Sequence, residues 1–275
     1  MTAEHAAFAP SVDPALYSVV AAEPTTEPEV RVLGVPGPVL EALRAAASSH
    51  VIPGARRWWV TGDRSMTAVH GAGTPHVAGP VAAATRVAAG AAVLSVRLAV
   101  AWAGFRPVTS LLPGGHARSV LAVVRTGMAA APTRVERVLL TAGIARSAAR
   151  PGAPAPVTAT RGLLRTAADT EGVRLRTAVT AEERDRLLSL IPVDADAVPP
   201  GGIVALLGAD HDPPAGDLRA GAALQRLLWT ATALGWTGTV LAGPVELAAT
   251  GACPRWRDAL GVVPRLLVHV DTGTH

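Results

Sequence analysis

Residues 220–236 read AGAALQRLLWTATALGW, and residues 89–105 read AGAAVLSVRLAVAWAGF. The two stretches share their opening, their length, and a closing glycine followed by an aromatic ring. Gly90 pairs with Gly221, Gly104 with Gly235 and Phe105 with Trp236, all at one offset. Within each copy the apolar positions fit a helix buried on most sides. Gly104 and Gly235 sit where a left-handed residue ends such a helix, and the ring beside each is suited to fold back on the last turn. A β-prone run follows each copy, RPVTSLL (106–112) and TGTVLAG (237–243). Further on, LAVVRTG (121–127) matches LVHVDTG (267–273), with the second copy longer around VELAATGACPRWRDA (245–259). Each copy therefore reads helix, glycine–aromatic stop, strand, connection, and a strand ending in Thr-Gly. Chance similarity between alanine-rich helices explains one match poorly and two ordered matches less well. The pattern predicts two related halves, 33–128 and 129–275, behind an N-terminal tail or arm at 1–32. Fused copies can meet through the same patch, as isologous dimers do, and a seam of that kind is a common place for a concave ligand site.

Outside the repeat, VLEALRAAASS (39–49) places its apolar residues on one helical face. RRWWVTGDRSMTAVHG (56–71) predicts a hairpin turning at TGDR, with Trp58 and Trp59 on opposite faces of its first strand. One of the two tryptophans is then core, and the other flanks a ligand plane or covers the seam. Residues 71–80 are predicted as loop, and the Pro-rich 151–161 as a connection. A helix is expected at 161–171, a strand at 173–179, and a second helix from Thr180, where Thr180 and Glu183 form a capping box. The turn-rich IPVDADAVPPGG feeds a strand at 203–208.

The chain has 275 residues, enough to bury roughly three quarters of its unfolded surface without staples. Its formal charge of +4 comes with no lysine, and it has no asparagine. The arginines are scattered, with a basic–aromatic cluster at RRWW (56–59), so a nucleic-acid partner is not expected. Cys253 is the sole cysteine, which excludes an intramolecular disulfide and favours a reducing, cytoplasmic setting. Glu4, His5 and Asp13 stand where a signal peptide would carry basic residues. Arg86 and Arg97 interrupt the most apolar segment, 81–105, leaving a run shorter than the ~20 residues a membrane span needs, so no membrane partner is expected. Adjacent side chains such as Asp210, His211 and Asp212 rarely converge on one ion, so no metal is expected. Cys253, near Arg255 and Arg257, reads as a structural or incidental thiol, and neither a serine-nucleophile elbow nor a phosphate loop is present.

The runs AAGAAVLSVRLAVAWAGFRPVTSLLP and LRAGAALQRLLWTATALGWTGTVLAGPVE resemble the nitroreductase-like flavoproteins of the actinobacterial Acg type, over most of residues 36–275. The resemblance implies an α+β (α/β) nitroreductase-like fold. Its two tandem halves would form an intramolecular pseudo-dimer, with central mixed sheets flanked by helices and FMN at the seam. It implies an FMN-dependent NAD(P)H oxidoreductase that reduces nitroaromatic or quinone-like acceptors, as a monomeric pseudo-dimer or a homodimer. The family's flavin signature, Pro-Ser-x-His-Asn-x-Gln-Pro-Trp, falls on SSHVIPGARRWW. Ser49 keeps the serine, while Ile52, Gly54 and Arg56 replace the asparagine, glutamine and tryptophan. Isoleucine can neither donate nor accept a hydrogen bond, so a flavin edge there would lose those contacts. A second pattern, Arg-Arg-x-Thr-Asn-Arg-x-Pro-Phe, falls on ARSAARPGA (145–153), keeping Arg146 and Arg150 as the implied phosphate grip. The family's C-terminal Leu-Arg-x-Gly has no arginine in HVDTG, and the long segment before the strand at 203 is reduced to IPVDADAVPP. Ser49, Trp58, Arg146, Arg150 and Gln225 are the candidate cofactor contacts, and no catalytic acid–base group is expected. Ser49 reads equally as a cap or turn hydroxyl, and the arginines as a solvated pair. Gln225 and Arg226 interrupt the second copy of the helix, facing either the seam or a solvent stripe. The alternative function is a non-catalytic relative that binds or sequesters FMN, or a flavin-free one acting through protein contacts.

Overall fold

The computed structural model describes residues 29–32, 52, 54–56, 58–62, 65–73, 76–114, 119–145, 154–189, 198–209, 213–251 and 261–272. The protein is of mixed α and β structure, with two sheets and six helices among the described residues. The first sheet takes β1 (Glu29–Val32), β2 (Trp58–Gly62), β3 (Met66–Gly71), β4 (Phe105–Leu111) and β5 (Val120–Ala129), in the order β1-β2-β3-β5-β4. Only the β1–β2 pair in it is parallel. The second sheet takes β6 (Arg174–Thr177), β7 (Ile203–Ala209), β8 (Thr237–Ala242) and β9 (Val263–Asp271), in the order β6-β7-β9-β8, and is antiparallel throughout. The first sheet is thus mixed, as expected, and the second is not.

A long helix follows the second strand of each four-stranded block: α1 (Pro80–Trp102) after β3, and, in the second half, a helix over Pro213–Ala233 after β7. Before the second block come α2 (Arg134–Ala145) and α3 (Val157–Thr170), and α4 (Ala181–Leu188) lies between β6 and β7, so the Pro213–Ala233 helix is α5; α6 (Pro244–Ala249) follows β8. The blocks β2-β3-β5-β4 and β6-β7-β9-β8 share strand order, strand direction and the place of the long helix. Gly104 and Gly235 both adopt left-handed φ, 88° and 81°, at the predicted stops. Trp236 is buried and its indole N–H donates to the Ala155 carbonyl at 3.0 Å, whereas its counterpart Phe105 is partly exposed.

Some boundaries move. α1 starts at Pro80, nine residues before the repeated stretch, because Ala-rich 81–88 continues the helix and proline is well placed at a first turn. α3 starts at Val157 rather than 161, again just after a proline. The composition of the short run before 134 hid α2, yet Thr133 and Glu136 cap it reciprocally, at 3.2 and 2.6 Å. α6 fills part of the stretch read as added length. The Thr180–Glu183 capping box forms as predicted, and the N–H groups of Val179 and Thr180 hold the Glu183 carboxyl below its usual range.

α1 and α5 lie between the sheets and cross in contact. A Cβ at Gly90 would collide with the Leu218 carbonyl, and one at Gly221 with the Val87 carbonyl. Val87 and Leu218 are counterparts in the repeat, so each copy's glycine receives the other copy's backbone. Each also packs into the opposite core: Leu218 with Val93, Val96 and the first sheet, Val87 with Leu224, Leu228 and the second. α1 is long and apolar enough by length and composition to span a bilayer, but most of that apolar window is buried inside the protein.

The hairpin β2–β3 pairs Trp59 with His70, and their rings stack with centroids 5.1 Å apart. Trp58 turns to the other face and packs against both main cores. The His70 ring nitrogens meet the Thr61 and Ser119 hydroxyls at 2.8 and 3.2 Å, and burial pushes its pKa below 6.5.

Gly221→Ala should cost about 3 kcal/mol or prevent folding, because the collision is with backbone. Gly162→Ala, in α3 with open space around it, should gain up to about 1 kcal/mol in urea unfolding. His70 is neutral in the fold, so its contribution is present above the unfolded pKa of about 6.5 and is lost as pH falls through the lower folded value. The stability of His70→Gln should therefore change less than wild type between pH 7 and 5, as read by urea midpoints.

Candidate functional site

The site is built where α3 ends against the two crossed helices. The N–H of Glu171 bonds back to Ala168, and Gly172 takes a left-handed φ of 70°, so the chain reverses after Thr170. That reversal leaves the Glu171 carboxylate, 6% exposed, between α1 and α5. Arg97 of α1 donates to its Oε2 at 2.6 Å, and Arg226 of α5 to its Oε1 at 2.8 Å. One carboxylate serves two guanidinium groups, and one positive charge is left over. A cavity of about 440 Å³ opens beside this clamp. Val93, Leu111, Leu218 and Ala222 give it apolar walls, and Arg97, Thr109, Thr170, Glu171 and Arg219 a polar side. Arg219, Ala222 and Arg226 succeed one another along one stripe of α5; Arg219 is exposed and lines the cavity, while Arg226 is buried.

A second buried triad sits closer to the crossing. Arg86 of α1 reaches Asp217 of α5 at 2.8 Å, and Arg265 of β9 reaches the same carboxylate at 3.0 Å. Arg86 also donates to the Val77 carbonyl at 2.9 Å. Arg86 and Asp217 are counterparts in the repeat, carrying opposite charges. Buried ions of this kind persist only when paired and hydrogen-bonded.

The candidates read from the sequence divide. Ser49, Arg146 and Arg150 lie outside the described residues, as do Cys253 and the 210–212 triplet. Trp58 is half-buried between the cores. Gln225 and Arg226 form no solvent stripe: both are buried, because this face of α5 packs into the protein. Among the described residues the amide nitrogen and oxygen of Gln225 have no hydrogen-bond partner, and neither has the indole nitrogen of Trp229 one turn on. Sequence reasoning missed Glu171 and Asp217. A signal existed, since Arg86, Arg97 and Arg226 interrupt helices read as buried and so demand counter-charges. The partners' identities depended on how distant segments meet.

The implied flavin has two places to be tested. At the signature, Ile52 is 3% exposed and belongs to the second core, and a Cβ at Gly54 would lie 2.6 Å from Val245. Those residues do not fit an isoalloxazine edge: the space is occupied and offers no amide. The cavity beside Glu171 fits better, with apolar walls for a ring and guanidinium groups for an anion, at a volume within the usual range for small-ligand pockets. No group of His, Cys, Asp and Glu suited to a metal occurs among the described residues.

No protein-family model matches the chain, and no curated protein matches it. Among solved structures it is similar to an NADPH:FMN oxidoreductase from Vibrio harveyi complexed with NAD+, at 14% identity and a TM-score of 0.37, over 50% of this chain and 70% of that one. A likeness of that size does not assign this chain a fold family or a ligand.

The clamp itself is testable. Glu171→Gln removes the hydrogen-bonded counter-charge of Arg97 and of the buried Arg226, leaving Arg226 only the weaker pull of the Glu136 carboxylate, and should cost about 3 kcal/mol in denaturant unfolding. Glu182→Ala, which breaks the exposed pair with Arg186, should cost no more than about 0.5 kcal/mol.

Proposed function

We propose that the chain is a nitroreductase-like flavoprotein whose halves form an intramolecular pseudo-dimer, with one FMN-class ligand at the seam. NAD(P)H is the reductant in this reading, and a nitroaromatic or quinone-like small molecule the acceptor. The observation that carries it is the repeated block meeting itself along α1 and α5, with a cavity of about 440 Å³ opening at that junction. FMN, when bound, supplies the hydride chemistry. The chain's own residues bind and orient. Val93, Leu111 and Leu218 offer a water-poor wall, while Glu171 fixes the Arg97 guanidinium so that no ordering is needed on binding. No general acid is required, in keeping with the absence of an acid–base constellation in the sequence.

Ile52 favours the second reading. Its burial in the core, with Gly54 against Val245, supports a relative that has given up the family's flavin contacts and either sequesters FMN or works without it.

The purified protein separates these readings. A yellow preparation, or a colourless one that quenches FMN fluorescence on titration, is expected from a flavin binder. Anaerobic mixing with NADPH should then bleach the flavin band. Binding without bleaching assigns sequestration, and no binding at all removes the flavin.

A further inference from the structure

The two halves place two equivalent positions on the seam, and these have diverged. Around the cavity stand Val93, Arg97 and Thr109 from the first half and Arg219 from the second. Their counterparts in the repeat are Leu224, Leu228, Val240 and Ala88, which pack together in the second core with Ile52. Arg97, Thr109 and Arg219 on the open side each have an apolar counterpart on the closed side. Ile52 packs into the closed side, and Glu171 lines the open one.

The open side carries excess positive charge. Arg97 and Arg226 share one carboxylate, and Arg97 offers a 28% exposed guanidinium at the cavity. Among the described residues Arg219 has no recorded ion partner, and its stem passes beside the Gly172 turn. The Thr109 hydroxyl lines the same space and can donate, whereas the Thr170 hydroxyl already donates to the Thr166 carbonyl at 2.7 Å. Two guanidinium groups and the Thr109 hydroxyl around one cavity match a tetrahedral dianion, since forked N–H donors suit phosphate oxygens.

We infer that this cavity is the protein's phosphate-monoester site, in which Arg219 and Arg97 hold the phosphate group of the ligand. The inference rests on the flavin reading for FMN as the ligand, though not for the anion chemistry. Arg219 provides the charge that is lost with least damage to the fold, because it is exposed and outside the Glu171 clamp.

The test compares wild type, Arg219→Ala, Arg219→Glu and the exposed-helix control Arg165→Ala. FMN and riboflavin, which lacks the phosphate, are titrated by fluorescence quenching, and inorganic phosphate by its effect on Tm. Arg219→Ala should weaken FMN at least about ten-fold, riboflavin less than about two-fold. Phosphate should raise the Tm of wild type and Arg165→Ala but not of Arg219→Glu. If FMN binds Arg219→Ala and Arg219→Glu as it binds wild type, while Arg150→Ala binds it poorly, the phosphate sits elsewhere; the inference falls and the flavin reading stands. If no flavin binds but phosphate protection is lost in Arg219→Glu, the anion site stands and the flavin reading falls. If phosphate leaves the wild-type Tm unchanged and no flavin binds, both fall.

Discussion

The structure depends on one close approach. α1 and α5 cross with glycine against the facing backbone on both sides, Gly90 on Leu218 and Gly221 on Val87. No larger residue allows two helices to come this near. At this separation Val87 and Leu218 reach past the partner helix into the opposite core. Each half is thereby completed by a side chain of the other. The cores are coupled through this contact, and everything described at the seam lies within a few turns of it.

A pair of identical chains meeting this way would place like residues face to face. Fusion removes that restriction. Arg86 and Asp217 are counterparts that pair with each other; in two identical copies the same position would set guanidinium against guanidinium or carboxylate against carboxylate. Arg265 then shares the carboxylate from the sheet side. The same freedom accounts for the unequal seam, with Leu228 closing one side and Arg97 lining the other. Glu171 belongs to this asymmetry: a carboxylate from the second half holds an arginine of the first, and leaves charge to spare at the cavity.

Burying these charges calls for nearly full satisfaction, and α5 shows where it is incomplete. Among the described residues Gln225 keeps both amide atoms unpartnered in a fully buried position, and Trp229 its indole nitrogen, while Arg226 between them is well paired. Gly143 of α2 makes room for the Trp229 ring, since a Cβ there would lie 2.6 Å from it. Polar groups left bare in this way mark the α5 face as a place where packing yields to some other requirement.

Much of the framework was legible in the order of residues. Glycine followed by an aromatic, met twice at one spacing, located both long helices and their left-handed stops. Alternation located the hairpin and put Trp58 and Trp59 on opposite faces, and Thr180 with Glu183 marked the start of α4. These are short-range signals: helix period, strand alternation, capping and positive φ are settled within a few residues of chain. Glu171 between Arg97 and Arg226, Asp217 between Arg86 and Arg265, and Ile52 in a core rather than beside a ligand were decided only by tertiary structure. A buried charge in a helix announces that it needs a partner, but which carboxylate arrives depends on segments up to 131 residues away. The sequence alone determined that a helix, a glycine–aromatic stop and a strand recur at one spacing; three-dimensional packing decided which side of the α1–α5 contact stayed open, because apolar volume and ion pairing are properties of the assembled contact and not of either stretch of sequence.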